Sequence, residues 1–234
     1  MKVVHIEARM KSLIELPIEF LDTLPKKVAV FTTIQLMNSM KPMMKQIEDA
    51  GVTPVVFKTG HTRHKGQILG CNVQKWQDYS DEEFDAFVYV GDGLFHPKAL
   101  LWKNPEKVVH GFNPFNDHIY TLDSSEMNLV RKKYHAALSL FHQKKHIGVL
   151  VSTKPGQFFL KKSLELQEEY PDKEFYYLVD NTVDFFGLED YNFVDVWVNT
   201  ACPRISFDDS IKIEKPVVNL EDVKKKDSKR ARIY

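Results

Sequence analysis

The chain has little cysteine: Cys71 and Cys202 are the only two in 234 residues, and they lie far apart. That spacing forms no local metal knuckle. The N-terminus lacks an apolar signal core, because His5, Glu7 and Arg9 alternate charge into its first apolar residues. Together these absences argue for a reducing, cytoplasmic setting and against a disulfide framework. No apolar run reaches the length that spans a bilayer. Net charge is missing too: Lys+Arg and Asp+Glu balance at 32 each, so bulk charge points to no nucleic-acid partner. The phosphate-binding G-x-x-x-x-G-K-[ST] string is absent, Gly91-Asp92-Gly93 lacks the third glycine of a dinucleotide fingerprint, and no G-x-S-x-G elbow occurs. Three common enzyme classes drop out.

One local charge excess remains. Lys224, Lys225, Lys226, Lys229, Arg230 and Arg232 crowd the C-terminal tail, residues 221–234. The plain reading is a solvated terminus, and the functional alternative is a contact to RNA, the ribosome or an acidic protein face.

What is present is a βαβ rhythm. Apolar runs at Val3–Ile6, Val28–Thr32, Val52–Phe57, Ala86–Val90, Lys107–His110, His146–Val151, Phe175–Val179 and Val194–Val198 read as strands. Several are apolar at consecutive positions, as strands covered on both faces are. Helices are predicted near Leu13–Leu21, Met37–Ala50, Ser124–Gln143 and Phe158–Glu169, with Asp123 or Ser124 as an N-cap.

An internal echo supports a duplicated unit. Lys26-Lys27-Val28-Ala29-Val30-Phe31-Thr32-Thr33-Ile34-Gln35 resembles Lys144-Lys145-His146-Ile147-Gly148-Val149-Leu150-Val151-Ser152-Thr153, and Asp85-Ala86-Phe87-Val88-Tyr89-Val90-Gly91 resembles Asp195-Val196-Trp197-Val198-Asn199. The predicted fold class is α/β, as two tandem Rossmann-like domains with parallel sheets flanked by helices. The domains are expected at 1–118 and 119–234, linked through Asn113-Pro114-Phe115-Asn116-Asp117.

Ligands of α/β sheets bind beyond the carboxyl ends of strands, so the loops there are the candidate site. Thr32-Thr33-Ile34-Gln35, Gly91-Asp92-Gly93, Ser152-Thr153-Lys154-Pro155-Gly156-Gln157 and Asn199-Thr200-Ala201-Cys202 all qualify. Thiolates suit iron–sulfur ligation, and Pro203 stiffens the loop after Cys202. Taken without further context, either cysteine reads equally as a buried apolar residue. A zinc reading of His61, His64 and Cys71 is open, although the segment around them is basic. His96 before Pro97 reads as lining or capping, and Arg204 as a carboxylate grip or an ion pair.

Four strings carry a family resemblance: Gln67-Ile68-Leu69-Gly70-Cys71, Asn199-Thr200-Ala201-Cys202-Pro203-Arg204-Ile205, Tyr89-Val90-Gly91-Asp92-Gly93-Leu94-Phe95-His96-Pro97 and Val151-Ser152-Thr153-Lys154-Pro155-Gly156-Gln157. They resemble the diphthamide synthase family, which modifies a histidine of translation elongation factor 2. The resemblance implies three similar domains, each giving one cysteine to a [4Fe–4S] cluster, with this chain matching the second and third. It implies Cys71 and Cys202 as two cluster ligands, S-adenosylmethionine as substrate, and transfer of a 3-amino-3-carboxypropyl group by a radical route. The C-x-x-x-C-x-x-C of ordinary radical S-adenosylmethionine enzymes is missing, which agrees with ligands dispersed among domains. Gln35, Thr153, Gln157 and Arg204 are the candidate cofactor-binding residues. The expected partners are elongation factor 2 and either a chain supplying the third cysteine or a second copy, with Phe95, Trp102, Phe112 and Phe115 as candidate contact residues. A noncatalytic relative that binds a partner or ligand is the alternative.

Overall fold

Hydrophobic strands at the centre of each half dictate the architecture. The computed structural model describes residues 4, 6–78, 80–209 and 213–224. The chain divides into two compact units, Met1–Met127 and Asn128–Tyr234.

The first unit contains α1 (Ile18–Leu21), β1 (Lys27–Thr32), α2 (Met40–Asp49), β2 (Thr53–Val55), β3 (Ala86–Val90), α3 (Phe95–Trp102), β4 (Val109–Asn113) and β5 (His118–Leu122). Its sheet runs β2-β1-β3-β4-β5, parallel except for β5, which returns antiparallel beside β4. All five residues of β3 are buried, as a strand covered on both faces requires. One face packs Val28, Val30 and Val88 against Met40, Met43 and Ile47, which recur at helical spacing along α2. The other face holds an aromatic cluster of Phe31, Phe57, Trp76, Phe84 and Phe87, with the Phe31 and Trp76 rings 4.7 Å apart.

The second unit contains α4 (Asn128–Gln143), β6 (His146–Ser152), α5 (Leu160–Leu164), α6 (Leu166–Glu169), β7 (Glu174–Asp180), β8 (Val196–Asn199), β9 (Val217–Asn219) and α7 (Leu220–Val223). Its parallel sheet runs β7-β6-β8-β9. This repeats the order of β2-β1-β3-β4, and the echoed strings fall on β1 with β6 and on β3 with β8. Trp197 of β8 lies over Gly148 of β6, where an added Cβ would sit 2.3 Å from the indole.

Several expected elements differ. Val3 and His5 lie outside the described residues, and Val4 and Ile6 are not in a strand. The Leu13–Leu21 helix shrinks to α1, because a proline disfavours helical geometry in the residue before it and Pro17 occupies the N-cap position. Asn113–Asp117 is the turn of the β4–β5 hairpin, with Asp117 at φ 53°, rather than an interdomain link. The chain instead divides inside the helical stretch that the carboxylate of Asp123 opens by accepting the Ser125 N–H at 2.7 Å. The long Phe158–Glu169 helix is two short ones. Trp102 and Phe112 belong to the core at 5% and 2% exposure, whereas Phe95 and Phe115 are exposed. Of the six basic residues of the tail only Lys224 is among the described residues.

Candidate functional site

The order β2-β1-β3-β4 makes β1 and β3 neighbours whose connections depart in opposite directions, the geometry that opens a crevice at their carboxyl ends. The same holds for β6 and β8. In each unit a threonine ties the two strands together beneath that crevice. Thr32 at the end of β1 donates its hydroxyl to the Val90 carbonyl at 2.6 Å, and Thr200 just past β8 donates to the Leu150 carbonyl at 2.8 Å.

Cys71 reaches the edge indirectly, from the long connection between β2 and β3. That connection runs alongside the end of β1: the Thr32 N–H donates to Gly66 O at 2.9 Å, and the Ile68 N–H donates to Thr32 O at 3.0 Å. Beyond this bridge the loop is held by buried polar side chains. Asn72, 1% exposed, accepts the Leu69 N–H at 2.8 Å and the Thr59 hydroxyl at 3.1 Å, and donates to Gly60 O at 3.0 Å. Gln67 accepts the Arg63 and His64 N–H groups with its side-chain oxygen. Gly70 allows the Phe95 ring to lie against the backbone beside Cys71, since an added Cβ would come within 1.9 Å of that ring. Cys71 itself carries a thiol and is half-buried.

Cys202 reaches the edge directly, three residues past β8, as the residue before the 3-10 turn Pro203–Ser206. Asn199, 2% exposed, donates to Cys202 O and to the Asn219 side-chain oxygen, both at 2.8 Å, and accepts the Ala201 N–H at 3.0 Å. Asn219 is fixed in turn by its own N–H donating to the Tyr134 hydroxyl, which donates to Asp222 at 2.7 Å. Burial and the Asp222 carboxylate push the Tyr134 hydroxyl well above its ordinary range, so it stays a neutral donor. Cys202 is also a half-buried thiol.

The other candidate residues divide. Gln35 is exposed in the 3-10 turn Ile34–Ser39 just after β1, with its carbonyl accepting the Met10 N–H. Thr153 is exposed after β6, its N–H donating to Asp180 O at 2.9 Å, and Gln157 closes the turn that Gly156 makes at φ 81°. Thr153, Gln157 and Cys202 therefore share one edge of the second unit. Arg204 is 4% exposed, and its Nε and Nη2 both donate to Asp208 Oδ2 at 2.5 Å. Burial pulls the Arg204 guanidinium below its ordinary range, against Asp208 and the nearby Cys202, which favour its charge. Its carboxylate grip is thus on Asp208. His96 lies in the first turn of α3 with Nδ1 3.2 Å from the Tyr89 hydroxyl, stacked on that ring.

Sequence reasoning missed Asn72, Asn199 as a clamp, Asn219 and Asp208. Asn72 adjoins a cysteine in the chain, but Asn219 is brought in only by the β8–β9 pairing. The zinc reading finds no support. His64 Nε2 is 3.0 Å from Glu7 and 2.7 Å from Arg9, and among the described residues no group of three His, Cys, Asp or Glu side chains is arranged to hold a metal ion. No helix among the described residues is long and apolar enough to cross a membrane.

Residues 1–226 match the family described as "Putative diphthamide synthesis protein". The chain belongs to this family. It is 31% identical over 204 residues to the 2-(3-amino-3-carboxypropyl)histidine synthase of Methanocaldococcus jannaschii, covering 85% of this chain and 51% of that protein. Subunit 1 of the Caenorhabditis elegans synthase is 25% identical over 196 residues, covering 82% of this chain and 48% of that one. The chain thus spans about half the length of these relatives. The crystal structure of Dph2 from Pyrococcus horikoshii with a 4Fe-4S cluster superimposes with a TM-score of 0.70 at 27% identity, covering 88% of this chain and 58% of that one. The diphthamide-family fold is therefore common to both.

Proposed function

We propose that this chain is part of a 3-amino-3-carboxypropyl transferase that modifies a histidine of translation elongation factor 2. One observation carries the reading: in a member of this family, each unit presents one half-buried thiol on a loop at the carboxyl edge of its sheet. Thiols so placed suit iron–sulfur ligation, and a relative of the same fold holds a 4Fe-4S cluster. Cys71 and Cys202 would hold the cluster, with a third thiolate coming from another domain or chain. When bound, the cluster would supply the electron and the open iron position at which S-adenosylmethionine is cleaved.

The chain's own residues then bind and orient. Exposed Gln35 and Thr153 and half-buried Gln157 offer amide and hydroxyl groups to the polar parts of S-adenosylmethionine. Arg204 supports the Cys202 loop through Asp208 instead of gripping substrate. The "subunit 1" name of the nematode relative supports a multi-chain enzyme, with a separate chain or a second copy as partner.

Anaerobic reconstitution with iron and sulfide tests the reading. The isolated chain is expected to hold a substoichiometric, labile cluster, and a full complement when the chain supplying the third thiolate is added. A chain that binds no iron in either state, yet binds elongation factor 2, would make it a noncatalytic binding module.

A further inference from the structure

Each cysteine loop is fastened by a buried asparagine within three residues of the cysteine, Asn72 in the first unit and Asn199 in the second, where Asn219 adds a bond to Pro203 O at 3.2 Å. Asn72 spans its loop from the Leu69 N–H to the Gly60 carbonyl. Asn199 spans its loop from the Ala201 N–H to the Cys202 carbonyl. In both cases one side-chain amide satisfies a main-chain donor within two residues of the cysteine and a main-chain acceptor, Gly60 O in the first loop and Cys202 O in the second, which needs an oxygen and an N–H on the same group. Aspartate lacks the donor and alanine lacks both, so either would leave part-buried main-chain groups without these partners.

We infer that Asn72 and Asn199 are positioning residues that preset the two cysteine loops before any cluster is bound. This rests on the reading of Cys71 and Cys202 as cluster ligands. A ligand loop already held in place loses little conformational freedom when the metal arrives, so the free energy of binding is not spent on ordering it. The asparagines act on the loop backbone.

Asn104 supplies a matched control. It is 1% exposed and also makes three bonds: it accepts the Trp76 N–H at 3.2 Å and donates to Gln74 O at 3.1 Å and Leu100 O at 2.7 Å. It fastens Gln74 and Trp76, in the same β2–β3 connection as Cys71 but beyond the 60–72 segment that Asn72 closes, so it controls for loosening of that connection as a whole.

The test uses the full chain without iron and measures the alkylation rate of each thiol by iodoacetamide, read by peptide mass spectrometry. Asn72→Ala should raise the Cys71 rate about fivefold, the shift that one lost hydrogen bond gives, and leave Cys202 unchanged. Asn199→Ala should do the reverse. Asn104→Ala should lower Tm comparably and move neither thiol. Unchanged thiols in both cysteine-loop variants, or an equal rise in Asn104→Ala, would overturn the assignment. Should the alanine variants fail to fold, hydrogen exchange on the wild-type apo chain decides. The Leu69 and Ala201 amides should be protected like strand amides, and exchange at the intrinsic rate would overturn the assignment. Iron uptake by the wild-type chain, measured separately, decides the cluster reading and leaves the thiol comparison standing as the test of the asparagines.

Discussion

The two units share a strand order but place their cysteines in different connections. In the first unit Cys71 lies between β2 and β3, while in the second Cys202 lies between β8 and β9. The counterpart of the Cys202 loop in the first unit is Gly91-Asp92-Gly93, which carries no thiol. A duplicated scaffold has therefore acquired its thiols at nonequivalent positions, and what is repeated is the sheet edge and not the ligand. The supports differ accordingly. Cys202 needs only a short turn and a two-asparagine clamp at the end of β8. Cys71 sits in a long connection that has to be pinned to β1 and filled with Thr59, Thr62, Gln67 and Asn72.

That difference predicts that the second unit depends on packing beneath a short loop, and the first on a polar network within a long one. The largest effect is expected at Trp197, 1% exposed and packed over Gly148. Trp197→Ala should cost about 3–5 kcal/mol in urea unfolding. Its signature is loss of hydrogen-exchange protection along β6 and β8, and equal loss along β1 and β3 would break the comparison. Next comes Asp208→Ala, which strips the close carboxylate from buried Arg204. Removing one partner of such a pair costs about 3 kcal/mol, less where the carboxylate is partly exposed as here. The Cys202 loop should loosen with it, as amide exchange at Ile205 would report.

Tyr134→Phe removes the hydroxyl that links Asn219 to Asp222, and should cost about 1–2 kcal/mol by chemical denaturation. An unchanged midpoint would mean the Cys202 clamp does not need this brace. The smallest effect belongs to the first unit's surface. Hydrogen bonds from His64 and then Arg9 lower the Glu7 carboxyl from 4.5 to about 2, tying the N-terminal segment to the Cys71 loop. A depressed carboxyl stabilises fully above its unfolded value and loses that contribution as pH falls from about 4.5 through about 2. Exchange protection of the Ile68 amide should weaken across that window, and Glu7→Gln should flatten the dependence.

Much of this was legible in the sequence. Consecutive apolar residues identified β1, β3, β6 and β8, and the echoed strings identified the duplication, because buried parallel strands leave a strong compositional mark. The antiparallel strand β5 was hidden: its neighbouring Asn-Pro-Phe-Asn-Asp turn reads as a linker when pairing is unknown. Helix α3 was hidden because Pro97, Ala99, Leu100, Leu101 and Trp102 are all buried, leaving no polar face to set a helical period. Strand β9 has three residues, too few for any pattern. At the site, both cysteines and their loops could be named from local strings. Asn219 and Asp208 could not, since their roles come from strand pairing and from a turn that aims Arg204 inward.

In the proposed function, thiols at nonequivalent positions of a duplicated scaffold would serve one shared cluster. Iron retained after anaerobic reconstitution, in the presence of the chain that supplies the third thiolate, tests this most directly. Cys71→Ala, Cys202→Ala and the double variant should each lose the [4Fe–4S] electron paramagnetic resonance signal to the same extent, because either thiolate's removal opens the same site. Iron losses that add between the two single variants, or a single variant that keeps the full signal, would contradict a shared cluster.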